Sequence, residues 1–132
     1  MLPAVPRHVE RDAFADELHR GIRKLGEGRY EIKRSAMALA LGNLALLSGS
    51  VRVAPDVRAG KPFGFRLFSI APDGPFAKLG LRDDDVLLSI NRLDIATAEQ
   101  ALEAYGKLKT ASHLVLGVMR GGHRIALEYW IR

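Results

Sequence analysis

The chain has no cysteine, which removes disulfides, thiolate metal ligands and cysteine nucleophiles together. Aromatic residues are scarce, 7% of 132 positions, and no five like charges stand in a row. Lys and Arg outnumber Asp and Glu by 20 to 15, for a net charge of +5. Nucleic-acid binding requires a concentrated basic stripe with interleaved aromatics, and that footprint is missing. The longest apolar stretch, residues 36–47, is broken by Gly42 and Asn43 and falls short of the ~20 residues that span a bilayer. Met1-Leu2-Pro3-Ala4-Val5-Pro6 does not have the charged-then-apolar order of a secretory signal.

Catalytic patterns are missing as well. His8, His19, His113 and His123 are scattered, and no H-E-x-x-H, G-x-S-x-G or G-x-x-x-x-G-K-[ST] occurs. Asp83-Asp84-Asp85 sits on an expected turn, where adjacent carboxylates point apart, and no spaced Glu completes a calcium loop. These absences predict no catalytic residue, no metal and no cofactor. His123 reads as an exposed hairpin residue.

The remaining composition is 48% hydrophobic and 27% charged, with a mean hydropathy close to zero, suited to one folded domain. Residues 1–9 carry two prolines and predict poor order. Ala13, Phe14, Leu18, Ile22 and Leu25 recur at helical steps, predicting an amphipathic helix over residues 10–25 that Gly26 and Gly28 terminate. Tyr30 and Ile32 mark a short strand. Ser35 reads as the N-cap of a second, nearly all-apolar helix over residues 36–47, suited to packing against the rest of the domain.

After Ser50 the texture changes to strands and tight turns. Strands are expected at residues 51–54, 65–70 and 86–90, with a loop over 55–62 and one helical turn at 76–79. Thr97-Ala98-Glu99-Gln100 is a capping box opening a helix to about residue 109. Residues 114–120 and 124–131 read as a hairpin around Gly121-Gly122-His123. The fold class is α+β: a small β-barrel or sandwich capped by two helices, with an N-terminal helical extension. Three segments are expected: a tail and helix (1–28), a strand and apolar helix (29–50), and a main domain (51–132) able to fold without residues 1–28.

The run from Gly64 to Asn91 contains Pro72-Asp73-Gly74-Pro75, Leu79-Gly80-Leu81, Asp85-Val86 and Ile90-Asn91, in an order that resembles a bacterial PDZ domain. Two positions depart from the usual pattern, Asp84 and Arg92, where glycine is common. Asp tolerates a left-handed backbone; Arg92 is less accommodating and predicts a rearranged loop. Tyr30-Glu31-Ile32-Lys33-Arg34, Val51-Arg52-Val53-Ala54-Pro55 and the closing residues 120–132 extend the likeness to the C-terminal part of type II secretion system protein C. It covers about residues 29–132.

The resemblance implies a periplasmic module cut from a longer protein anchored in the inner membrane, without membrane contact of its own. It also implies protein or peptide partners bound by β-augmentation, in which an extended segment joins a sheet edge. Pro62-Phe63-Gly64-Phe65 has the form of the loop that holds a ligand carboxylate in such domains. Phe63, Gly64, Phe65 and Leu67 on the strand side, with Ala98, Leu102 and Tyr105 on one helix face, are therefore the expected peptide-binding residues. Alternatively, the two phenylalanines fill the core and the groove is closed. Two functional classes emerge: an interaction module of a secretion machine, or the regulatory PDZ domain of a periplasmic trypsin-like or site-2 protease. The blocks around Tyr30 and Val51 favour the first.

Overall fold

The computed structural model describes residues 7–132. Helix α1 (Arg7–Arg20) leads into the hairpin β1 (Ile22–Gly26) and β2 (Arg29–Ile32). Helices α2 (Arg34–Gly42) and α3 (Leu44–Leu47) come next, then strands β3 (Arg52–Arg58) and β4 (Lys61–Phe68). The rest is α4 (Pro75–Lys78), β5 (Val86–Ile90), β6 (Leu93–Asp94), α5 (Ala98–Leu108), β7 (His113–Arg120) and β8 (His123–Ile131). The strands run in the order β1-β2-β8-β7-β5-β4-β3, with β6 paired to β5. All neighbours are antiparallel except β2 and β8, which run parallel with Tyr30 opposite Tyr129 and Ile32 opposite Ile131.

Most elements arise from local chemistry. Pro75 occupies the first turn of α4, where a missing N–H costs nothing. The capping box at Thr97 forms as expected, its hydroxyl accepting from the Gln100 N–H while the Gln100 side chain reaches back to Thr97 N. Strand β5 falls where the apolar run places it, and Gly121-Gly122 joins β7 to β8 as a two-residue turn.

Several expectations need correction. The first helix stops at Arg20 and not at Leu25, because Gly21 turns the chain into β1: its carbonyl accepts from Lys33 N, and any side chain there would collide with Ala36. The expected disorder over residues 1–9 gives way to helix from Arg7, and residues 1–6 lie outside the described residues. Ser35 is not an N-cap but lies inside α2, and the long apolar helix is cut at Asn43, whose amide donates to Leu39 O. The loop over residues 55–62 shrinks to the turn Ala59-Gly60, both at positive φ. Pro55 argues against a central strand, yet an edge strand tolerates proline, and β3 is an edge. His123, placed in the turn by the sequence, begins β8 and is exposed.

One core unites these elements. Phe14, Leu18, Ile22, Tyr30, Ile32 and Ala36 pack in a single buried cluster with Leu67, Leu81, Leu114, Val118, Leu127, Tyr129 and Ile131. The residues before Tyr30 thus share the interior of the sheet that β8 completes. Helix α5 contributes the buried Ala104.

Candidate functional site

The sheet ends on β3, whose outer edge is free among the described strands. Two of its side chains, Val53 and Val57, are large, apolar and exposed, at 54% and 58%. Helix α5 supplies a third: Leu102 is 71% exposed, the highest value among the exposed large hydrophobics of the described residues. The helix is placed at both ends. Its first residues, Thr97 and Gln100, line a cleft of about 510 Å³ with Lys61, Pro62 and Phe63 from the start of β4. Further along, the Tyr105 hydroxyl donates to Leu41 O at 2.9 Å, which ties α5 to the end of α2. Leu102 lies between these two anchor points.

The expected strand-side residues are distributed differently. Phe63-Gly64-Phe65 is not a loop; it lies inside β4, which has β3 on one side and β5 on the other. Gly64 is buried opposite Asp56, and a Cβ there would collide with the Leu87 carbonyl. The glycine permits close strand packing. Leu67 is 3% exposed and belongs to the core cluster. Phe63 is half-buried, with the Arg58 guanidinium 3.8 Å from its ring centre, and Phe65 is half-buried opposite Leu87. On the helix side, Ala98 and Leu102 are exposed while Tyr105 is half-buried. Of the expected residues, Ala98 and Leu102 are thus exposed on α5, while Phe63, Gly64, Phe65 and Leu67 lie within β4 between two neighbouring strands. Sequence reasoning misses Val53 and Val57; Pro55 between them is the usable signal, since proline within a strand marks an edge.

A buried polar cluster anchors another turn of the fold. The carboxylate of Asp85, 1% exposed, accepts from Arg82 N and from Arg120 through two bonds, and Arg120 also donates to Gly80 O. The bond to Asp85 raises the Arg120 pKa above its ordinary value. Tyr129 donates to Leu79 O at 2.7 Å and stacks on Tyr30, with centroids 5.4 Å apart. Burial, reinforced by Tyr30, pushes its phenol far above the usual range. Both residues pin the Leu79-Gly80-Leu81 turn to the sheet. Among the described residues no group of three or more His, Asp or Glu could hold a metal ion, and no helix is long and apolar enough to cross a membrane.

A mostly antiparallel sheet that ends on a free edge strand and carries a capping helix matches the general plan of a domain that takes up extended segments. The PDZ domain profile matches residues 43–129, and the chain belongs to the PDZ family. It is 32% identical over 78 residues to type II secretion system protein C of Dickeya dadantii, covering 59% of this chain and 29% of that protein. It is also 35% identical over 71 residues to a probable periplasmic serine endoprotease DegP-like of Pseudomonas putida, covering 54% of this chain and 15% of that protein. The chain thus spans less than a third of these curated relatives. Among solved structures it superposes on the PDZ domain of EpsC from Vibrio cholerae with a TM-score of 0.55 at 21% identity, covering 73% of this chain and 91% of that one.

Proposed function

We propose that this chain is a non-catalytic interaction module of a type II secretion system, recruiting partner or exoprotein segments by strand addition at the β3 edge. The observation that carries this is the free edge of β3 with the exposed apolar side chains Val53 and Val57 on it; Leu102, exposed on α5, adds a further apolar side chain for a partner. Main-chain groups on the edge supply hydrogen bonds to an incoming segment, and alternate side chains find the apolar surface. Likeness to secretion protein C supports the setting, at the periplasmic face of the inner membrane as part of an anchored parent. Neither a cofactor nor a nucleic acid enters this function.

The likeness to DegP-like endoproteases favours a second reading, a regulatory substrate-binding domain joined to a separate protease unit. Both readings use the same edge, so one experiment addresses the mode and another the class. For the mode, a photo-crosslinker at Val53 is expected to capture apolar peptide segments, whereas one at Phe65 within β4 is not. Leu102→Lys is expected to abolish micromolar binding, since a charge held against an apolar ligand costs several kcal/mol. Equal binding by wild type and a folded L102K chain would overturn the groove. For the class, crosslinking in the native cell is expected to recover secretion components; recovery of a serine protease unit within the same polypeptide would favour the second reading.

A further inference from the structure

Strands β5 and β6 are joined by Asn91-Arg92, a two-residue turn with both residues at positive φ, 49° and 70°. Such a turn favours Asn followed by Gly. Arginine in the second position carries backbone strain, which persists only where surrounding contacts dictate the conformation. They do so here. Asn91 N donates to Val115 O at 2.9 Å, its amide donates to His113 O at 3.1 Å, and its side-chain oxygen accepts from Val115 N at 2.7 Å. Three bonds to β7 clamp the turn, so Arg92 cannot relax. The expected rearrangement of this loop does not occur; the left-handed backbone is kept with arginine in it.

The clamped arginine lines a cleft of about 620 Å³ together with Ser89, Asp94, His113 and Arg124. Asp94 and Arg124 also line the neighbouring cleft, to which Lys61 contributes. Arg92, Arg124 and Lys61 face these joined clefts against the single carboxylate of Asp94. The other nearby acid, Glu128, is engaged by His113 at 2.7 Å. Gly117 completes the floor, and a side chain there would collide with the Ser89 hydroxyl.

We propose that this face, formed by β5, β6 and β7 with Arg124 of β8 and Lys61 of β4, is a second docking surface, separate from the β3 edge, for an acidic polypeptide segment. Charge complementarity selects the partner class. The clamped turn fixes the Arg92 backbone at the rim of the cleft before binding, so only its side chain has to be ordered on contact. Arginine suits the role because its fork can grip a carboxylate with two bonds.

The test uses the full chain, isotopically labelled, titrated with an acetylated and amidated peptide of Glu and Ser that offers neither a free terminus nor an apolar side chain to β3. Resonance shifts are expected at residues 91–94 and at Arg124, not at Val53 or Leu102, and to shrink between low salt and about 0.15 M. Arg92→Gly is expected to raise the melting temperature by relieving the turn, yet to weaken binding about fivefold, the upper range for one exposed ion pair. Arg124→Gln is expected to weaken binding similarly with melting unchanged. Leu102→Lys leaves this binding intact, which separates its failure from that of the β3 groove. The proposal is overturned by the absence of shifts at residues 91–94, by undiminished binding in R92G, or by an R92G chain that melts lower. Tighter binding of a single-stranded oligonucleotide or an anionic vesicle of equal charge would overturn it as well.

Discussion

The Arg120 guanidinium meets the Asp85 carboxylate through two hydrogen bonds, 2.9 Å to Oδ1 and 2.6 Å to Oδ2, although 35 residues separate them. The partners are unequally sheltered: the Asp85 side chain is 1% exposed and that of Arg120 is 23% exposed. Asp85→Ala leaves a guanidinium that water can reach. Arg120→Ala leaves a deeply set carboxylate without its counter-charge, with Arg82 N–H as its remaining partner. Breaking a buried pair in the second way costs about 3–5 kcal/mol. We therefore expect R120A to destabilise more than D85A in urea unfolding. The reverse order would show that the packing of Asp85 outweighs its charge.

A chain beginning at Tyr30 loses Phe14, Leu18 and Ile22, all buried in the shared core. Sequence patterning by itself implies melting within a few degrees of the whole chain. Three buried apolar side chains at about 1.5–3 kcal/mol each imply instead a loss on the order of 5 kcal/mol, a large part of a small domain's stability. Calorimetry of the truncated chain is expected to show a strongly lowered transition or none.

Gly64→Val would obstruct a carboxylate loop without disturbing the fold, if Gly64 stood in one. With Gly64 facing the Leu87 carbonyl inside β4, the same substitution is expected to force β4 and β5 apart, at a cost of about 2–3 kcal/mol typical of overpacking. A melting curve unchanged from wild type would contradict this packing.

Tyr129 gives a pH signature. Its phenol is raised in the folded chain, so folded and unfolded states bind the same proton below the ordinary tyrosine pKa near ~10. Above that value the unfolded chain ionises first, and stability falls by about 1.4 kcal/mol per pH unit from this group. Tyr129→Phe removes the bond to Leu79 O and lowers stability at neutral pH, but unfolding free energies between about pH 10 and 11 should fall less steeply than in wild type. Parallel slopes would show that Tyr129 is not the responsible group.

The features legible in the sequence are local ones. The Thr97 capping box, the β5 run and the Gly121-Gly122 hairpin each depend on residues a few positions apart, and each forms where the sequence places it. Strand β1 is hidden because Ile22 and Leu25 continue the helical spacing of Phe14 and Leu18, while the decisive contact, Gly21 against Ala36, is tertiary. For the candidate site, the shared helix face of Ala98, Leu102 and Tyr105 follows from their periodicity, and α5 forms over that span. The strand face is not legible, because a Phe-Gly-Phe motif suited to a carboxylate loop serves equally well where two strands approach closely. Only the pairing of β4 on both sides distinguishes these cases.

The parallel pairing of β2 with β8 has a consequence for synthesis. Strand β8 lies between β2 and β7 near the middle of the sheet, so the last strand of the domain to be synthesised joins its first hairpin to the rest. Until Tyr129 and Ile131 arrive, Tyr30 and Ile32 have no neighbour on that side, and the nascent chain exposes an open seam. Closing a span of about a hundred residues slows folding, and the open seam invites association with other chains or capture by chaperones. Completion of this domain therefore waits on its last strand and is sensitive to any factor that shields the seam until that strand emerges.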